Sequence, residues 1–164
     1  MSQAVFEKIK KLLDDNRIEY KILVHAPVYT SEQAAKMRGL GVELGMRRGA
    51  KAMIFRCDEM FIQFIVPAHK IVDMKKVKTL LSVKKIKLAT PEEVLQITDC
   101  EIGSIPPFGN LFNIEVYADP EISEEIDFNA GLHDTSITMK RKDWEMVVKP
   151  IIADIGTERG LSKN

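Results

Sequence analysis

Apolar positions along the chain change their spacing several times, and each spacing predicts an element. Val5, Ile9, Leu12 and Leu13 recur at helical intervals, the stripe of an amphipathic helix with one face turned to a core. Asn16 and Arg17 close it. Residues 20–24 (YKILV) are a short extended run that His25-Ala26-Pro27 breaks. Thr30 and Gln33 have capping-box spacing, predicting a helix that Gly39 and Gly41 end. Residues 42–50 hold two more glycines and read as a connector. Two apolar runs, 52–57 and 60–66, flank Asp58-Glu59 and predict a hairpin. Only Gln63 interrupts the second run, and Pro67 ends it because proline cannot donate to a ladder.

The pattern continues with a helix capped by Asp73 and carrying Met74, Val77, Leu80 and Leu81, then a strand over 85–89. Thr90-Pro91-Glu92-Glu93 places Thr at N-cap, Pro at N1 and Glu at N3, a strong helix start. Residues 99–112 are a Gly/Pro loop. Strands are predicted over 113–118 and 126–128, a turn over 129–131, and a further strand over 136–140. A last helix opens at Lys142 or Asp143, carries Trp144, Val147 and Val148, and stops before Pro150. Helices and short strands interleave without strict βαβ alternation. The reading is a single α+β domain over residues 1–155, with a mixed, largely antiparallel sheet flanked by helices. Residues 156–164 read as a polar, frayed tail.

Composition narrows the function classes. Of 164 residues, 45% are hydrophobic and 29% charged, so an ordinary globular core is affordable and disorder is excluded. Lys plus Arg (24) equals Asp plus Glu (24), so bulk charge does not draw the protein to DNA or to a membrane. The most apolar run is far shorter than the ~20 residues of a spanning helix. The charged amphipathic start shows no cleavage signal, and a cytoplasmic location is expected. Cys57 and Cys100 form no CxxC and read as two reduced, semi-buried thiols rather than a disulfide. The three histidines share no ligand spacing. No metal or cofactor is expected.

The sequence also lacks a Walker A loop, a GxGxxG turn and a G-x-S-x-G elbow, so it advertises no nucleophile. Three local features remain. In Gly103-Ser104-Ile105-Pro106-Pro107-Phe108-Gly109, glycines flank two stiffening prolines. Such a loop can present fixed N–H donors to a carbonyl or phosphate, although composition alone reads it first as a surface turn. Lys51 opens an apolar strand after Arg47 and Arg48, and reads first as a solvated strand-end lysine, second as a cleft cation. Phe128-Asn129-Ala130-Gly131-Leu132-His133 reads as a turn with an exposed histidine.

Taken together, Lys51 at a strand start, Thr90-Pro91-Glu92-Glu93-Val94, the Gly103–Gly109 loop and Phe128-Asn129-Ala130-Gly131 resemble, in order, the motifs of the YbaK/ProX family over roughly residues 20–150. These aminoacyl-tRNA deacylases are similar to the editing domain of bacterial prolyl-tRNA synthetases. The resemblance implies hydrolysis of the ester of a mischarged tRNA, tRNA-Pro carrying alanine or cysteine, with the substrate itself assisting the attack. The need for editing is physical, since one missing methylene is worth only ~1–3 kcal/mol to a synthetase pocket. The resemblance further implies that Lys51, Gly103 and Ser104 carry catalysis, with Lys51 on the terminal nucleotide. Ile105, Pro106, Pro107, Gly109, Asn129, Gly131 and His133 are implied to bind substrate. The implied partners are the acceptor end of aminoacyl-tRNA and prolyl-tRNA synthetase. Two features depart from the family pattern: Ala52 follows the lysine where relatives carry threonine, and Ser104 replaces a second glycine. A tRNA- or synthetase-binding module without turnover is the alternative, and a small acyl or nucleotide binder is a third. Lys75, Lys76, Lys78, Lys84, Lys85 and Lys87 read first as solvated charge, second as a tRNA-facing surface.

Overall fold

The computed structural model describes residues 2–159. In chain order the elements are α1 (Ser2–Asp15), β1 (Tyr20–Val24), α2 (Ser31–Met37), α3 (Val42–Arg48), β2 (Ala50–Cys57), β3 (Met60–Pro67), β4 (Lys70–Val72), α4 (Met74–Leu81), β5 (Ile86–Leu88), α5 (Pro91–Thr98), a 3-10 turn (Gly109–Phe112), β6 (Glu115–Ala118), β7 (Glu125–Leu132), β8 (Thr135–Lys140), α6 (Arg141–Val148), β9 (Ile151–Ile152) and β10 (Gly156–Glu158). This is the α+β arrangement the pattern predicts. No helix among the described residues is long and apolar enough to cross a membrane.

The strands form a five-stranded sheet in the order β5-β2-β3-β6-β9, a three-stranded sheet β1-β8-β7 and a pair β10-β4. The predicted hairpin is β2-β3, antiparallel with Cys57 opposite Met60. Beyond β3 the large sheet turns parallel, at β3-β6 and β6-β9. A parallel bridge between Gly49 and Asp127 joins the large and small sheets.

Alternation along β2 and β3 divides the interior into two cores. Ile54 and Ile65 face a cluster with Ile9 and Leu13 of α1, Phe128 of β7 and Trp144 of α6. Phe55, Phe64 and Val66 face a second cluster with Val77, Tyr117 and Ile155. Trp144, Phe64 and Ile9 have no solvent exposure. Both cysteines are free and buried, as the thiol reading expects. Burial is the main cause that pushes each thiol up to about 11, which removes thiolate character.

Besides the short strands β4 and β9, which the pattern does not predict, the structure departs from the sequence reading in three places. Residues 42–48 are a helix rather than a connector. Gly45 belongs to its packed face, because a Cβ there would fall 2.4 Å from Ala35 Cβ of α2. The glycine therefore permits close helix packing and is not a breaker. Residues 129–131 lie inside β7 instead of forming a turn, and the reversal is at His133-Asp134. Gly131 has φ +87° and sits where the β7-β8 register shifts between Asn129 and Leu132; its left-handed freedom serves a bulge. The predicted frayed tail begins as strand β10, paired with β4. The rest of that tail, beyond residue 159, lies outside the described residues.

The Gly/Pro loop is anchored into the first core. Gln63, with no exposure, donates from Nε2 to the Pro106 carbonyl at 3.0 Å and accepts at Oε1 from the Gly109 amide at 2.8 Å. Trp144 Nε1 donates to the Pro107 carbonyl at 2.8 Å. Replacing Gln63 with leucine strands a buried amide and a buried carbonyl, at about 1–3 kcal/mol each before relaxation. Gln63→Leu is therefore expected to lose about 2–4 kcal/mol in guanidinium unfolding. Amide exchange is expected to accelerate first at Gly109.

Candidate functional site

A cavity of about 250 Å³ opens where the two larger sheets meet. β2 supplies Lys51 and Ala52, α2 supplies Ala34 and Arg38, and the Gly/Pro loop supplies Gly103 and Ile105. Asp127, Phe128 and Asn129 of β7 close another side. Much of the lining is small, including Gly45, Gly49, Ala50, Ala68 and Ala89. Close-packed interiors leave no such volume unless side chains are short, so these residues make the space. Thr30 and Ser31 also contribute to the lining. Thr30 caps α2, accepting from the Gln33 amide at 3.1 Å. The Gln33 side chain bonds the Tyr29 amide at 2.9 Å, one residue before the position that the capping box predicts.

Lys51 is half-buried and donates from Nζ to the Lys70 carbonyl at 2.7 Å. Among the described residues no carboxylate ion-pairs with it. Burial first, then the positive charge of Arg159, pull its pKa down to about 8 against the opposing pull of Glu32. A strand-end lysine in plain solvent would not behave this way.

Opposite stands a polar network. Arg38 donates from Nε to Ser136 Oγ at 3.1 Å and from Nη2 to Asn129 Oδ1 at 3.3 Å. Asn129 Nδ2 in turn donates to the Gly103 carbonyl at 2.8 Å. Burial lowers the Arg38 pKa, and the Asp127 carboxylate opposes that shift. Asp127, 1% exposed, accepts from Arg48 Nη2 at 3.0 Å and from the Thr138 hydroxyl. Arg48 Nε and Asp127 Oδ2 lie 2.9 Å apart but are not aligned as a hydrogen bond; their contact is ionic. Arg38, Asp127 and Ser31 carry no motif signal in the sequence, and Thr30 signals only a helix cap; tertiary contact alone brings them here.

Of the residues implied to carry catalysis or bind substrate, Lys51, Gly103, Ile105 and Asn129 line the cavity. The others stand behind it. Ser104 is 1% exposed, and both its amide (3.0 Å) and its hydroxyl (2.8 Å) donate to the Glu101 carbonyl. It therefore braces the loop and offers no donor to the cavity. Pro106, Pro107 and Gly109 are the anchor points held by Gln63 and Trp144. The Gly131 amide bonds the Ser104 carbonyl at 3.0 Å. His133, expected to line the pocket, sits instead against Tyr29 with ring centroids 4.4 Å apart. Its Nδ1 faces the Val28 carbonyl at 3.1 Å and its Nε2 faces Glu101 at 3.0 Å. A Cβ on Gly103 would lie 3.4 Å from His133 Cε1, so the ring buttresses the loop at the glycine whose φ is +93°.

What the arrangement can do follows from its unused groups. Neither Gly103 N nor Ile105 N makes a hydrogen bond among the described residues. Arg38 has five N–H groups and uses two. No histidine lines the cavity, and neither Ser31 nor Thr30 is paired with a base. The unused amides and guanidinium N–H groups are hydrogen-bond donors of the kind that bind a carbonyl or phosphate oxygen. The His69, Glu121 and Glu158 side chains approach one another elsewhere, but Glu121 is already held by Lys70 at 2.5 Å. Of the six lysines read as a surface, Lys76 pairs with Asp154 at 2.9 Å.

Comparison with known proteins gives the family and the fold. The family described as the aminoacyl-tRNA editing domain matches residues 25–146. The multifunctional Ser/Thr-tRNA deacylase ProXp-y of Escherichia coli is 27% identical over 151 residues, covering 88% of each chain. A proline–tRNA ligase of Caldicellulosiruptor saccharolyticus is 32% identical over 99 residues, 60% of this chain and 17% of that enzyme. The crystal structure of a candidate trans-editing enzyme for prolyl-tRNA synthetase superposes with a TM-score of 0.78 at 20% identity. That match covers 93% of this chain and 97% of the other, and it shows a shared fold.

Lys51→Met removes a charge that the fold desolvates. The loss of its bond to Lys70 offsets part of the gain, leaving a net stabilisation at pH 7 of about 1–2 kcal/mol. The sign has a pH signature. Folded Lys51 releases its proton near pH 8, whereas the unfolded chain holds it to about 10.5. Wild-type stability therefore gains on the variant as pH rises between those values. Thermal melts of both proteins from pH 7 to pH 10 check this; an advantage of the variant that grows with pH contradicts it.

Proposed function

The chain belongs to the aminoacyl-tRNA editing domain family, and from that premise we propose that this aminoacyl-tRNA deacylase is a trans-editing enzyme that clears small, hydroxyl-bearing amino acids from tRNA. The observation that carries the reading is the cavity itself. It combines a half-buried lysine without a carboxylate partner, two unengaged loop amides and a guanidinium with donors to spare around about 250 Å³ of space. The terminal adenosine enters past Lys51, which holds its phosphate or sugar in register. The ester carbonyl lies against the Gly103 and Ile105 amides, whose fixed dipoles stabilise the oxyanion as it forms.

Water attacks the carbonyl carbon. The tetrahedral intermediate expels the ribose oxygen, releasing free amino acid and tRNA. An aminoacyl ester is already activated, and its neighbouring ribose hydroxyl or its own side chain assists the attack. Positioning and charge stabilisation are then the protein's share of catalysis.

The side-chain pocket favours serine and threonine over alanine and cysteine, the pair implied by resemblance to prolyl-tRNA editing proteins. Arg38 on its wall has donors for a hydroxyl oxygen, and a site built to hydrogen-bond a substrate discriminates far more strongly than one that measures methylenes. The relative named as a Ser/Thr-tRNA deacylase supports the same choice.

The test is release of radiolabelled amino acid from Ser-, Thr-, Ala-, Cys- and Pro-tRNA. Hydrolysis of the seryl or threonyl ester with Pro-tRNA spared is expected. Lys51→Ala is expected to lower kcat/KM by at least about 100-fold while the circular dichroism spectrum stays unchanged. Preferential release of alanine or cysteine would return the specificity to the tRNA-Pro reading. Salt-sensitive tRNA binding without turnover of any ester would make the chain a binding module.

A further inference from the structure

Tyr29 lines the cavity, yet it is 65% exposed. It precedes the Thr30 cap of α2, a position from which an apolar side chain can be buried as a staple against the first helical turn. Tyr29 is not spent in that way. Its ring centroid lies 4.4 Å from that of His133, with the two planes 35° apart. One face is thus supported, and the exposure leaves the other to solvent. Ile102, 46% exposed, stands on the same lining, one residue before Gly103. A Cβ on Gly103 would lie 3.7 Å from the Tyr29 carbonyl oxygen, so the Tyr29 backbone runs against the loop glycine that lines the cavity.

The backbone that carries the ring is pinned on both sides. The Val28 amide donates to the His133 carbonyl at 2.9 Å, and the Tyr29 amide donates to Gln33 Oε1 at 2.9 Å. The His133 ring behind it is fixed at both nitrogens, which face the Val28 carbonyl and Glu101 Oε1. Single exposed apolar side chains are ordinary on a protein surface. An aromatic ring supported on one face, near a second apolar side chain, at the mouth of a polar cavity has the form of a stacking platform. A nucleobase offers the flat π-face that such a platform takes, whatever the base. The donors of the cavity match a sugar, a phosphate and a carbonyl, which leaves the base to be placed by apolar contact.

We propose that Tyr29 is the platform on which the terminal adenine of the substrate stacks, with Ile102 against the edge of the base. The ribose then lies beside Gly103, and the ester reaches the loop amides while the base stays at the mouth. Tyr29 places the substrate and takes no part in making or breaking bonds. That the base belongs to an aminoacyl-tRNA rests on the editing reading, whereas the stacking chemistry does not.

The probes are adenosine 5′-monophosphate and ribose 5-phosphate, which lacks the base, titrated into the full chain and followed by NMR chemical shifts. Wild type is expected to bind the nucleotide about fivefold or more tightly than the sugar phosphate. Adenine H2 and H8 are expected to move upfield on binding, as protons held over an aromatic face do. Tyr29→Phe is expected to keep the preference and the shift. Tyr29→Leu retains apolar bulk without the π-face and is expected to lose the shift and most of the preference; Tyr29→Ala is expected to lose both. A ring that only shores up His133 and the loop predicts something different: Tyr29→Ala would weaken both probes in proportion and leave the preference unchanged. That result, a Tyr29→Leu variant that keeps the preference, or a wild type without one overturns the proposal. Should Tyr29→Ala fold poorly, the contrast between Tyr29→Phe and Tyr29→Leu still decides it. The deacylation panel is read separately. A wild type that hydrolyses no ester but discriminates the two probes sinks the editing reading and leaves the stacking platform standing. A wild type that hydrolyses ester without discriminating them does the reverse.

Discussion

A buried loop must have its backbone polar groups paired, and in this protein one side chain pairs two of them at once, a carbonyl and an amide. Gln63 is a central-strand residue at a position where alternation calls for an apolar side chain, and it is fully enclosed. Its amide bonds the loop on both sides, at the Pro106 carbonyl and the Gly109 amide. Proline brings no N–H of its own, so Pro106 and Pro107 leave only carbonyls to satisfy, and Trp144 takes the second. Strand, loop and C-terminal helix are thereby locked in one polar arrangement inside an apolar core. The position of Gly103 and Ile105 at the cavity follows from that lock, as does the packing of Phe108 against Phe128 with centroids 5.4 Å apart.

The cavity extends the same logic to charge. Short side chains open a space at the junction of the sheets, and the groups around it are cations that burial works against. Lys51 has only a carbonyl to bond, and Arg38 is engaged by two neutral oxygens. The one deeply buried carboxylate nearby, Asp127, is committed to Arg48 and Thr138. The result is a desolvated, positively biased pocket whose unsatisfied capacity suits an anionic nucleotide end and a carbonyl that develops negative charge. Attraction of this kind is local, consistent with a chain whose formal net charge is zero.

Local chemistry was legible wherever a signal acts through its neighbours in sequence. The Thr90 capping box forms with both reciprocal bonds, Asp73 caps α4 through the Lys75 and Lys76 amides, and β2-β3 pairs as the two apolar runs and the turn between them predict. Glycine was the recurrent source of error. Gly45 looked like a breaker and is a helix contact; Gly131 looked like a turn and is a bulge. In both cases the residue type was informative, but only the neighbouring element determines which use of a missing side chain applies.

The site divides along the same line. The sequence by itself determined the class of fold, the order of its elements, the family resemblance and the candidacy of Lys51 and the Gly/Pro loop, because motif spacing and capping are short-range physics. Only the tertiary structure decided which loop residues face the cavity and which anchor it. It turned Ser104 and His133 into braces, recruited Arg38 and Asp127, and carried Arg159 from the predicted tail to Glu32. Those outcomes depend on hydrogen bonds and charge contacts between residues as much as 127 positions apart, and no periodicity along a chain encodes a distance of that kind.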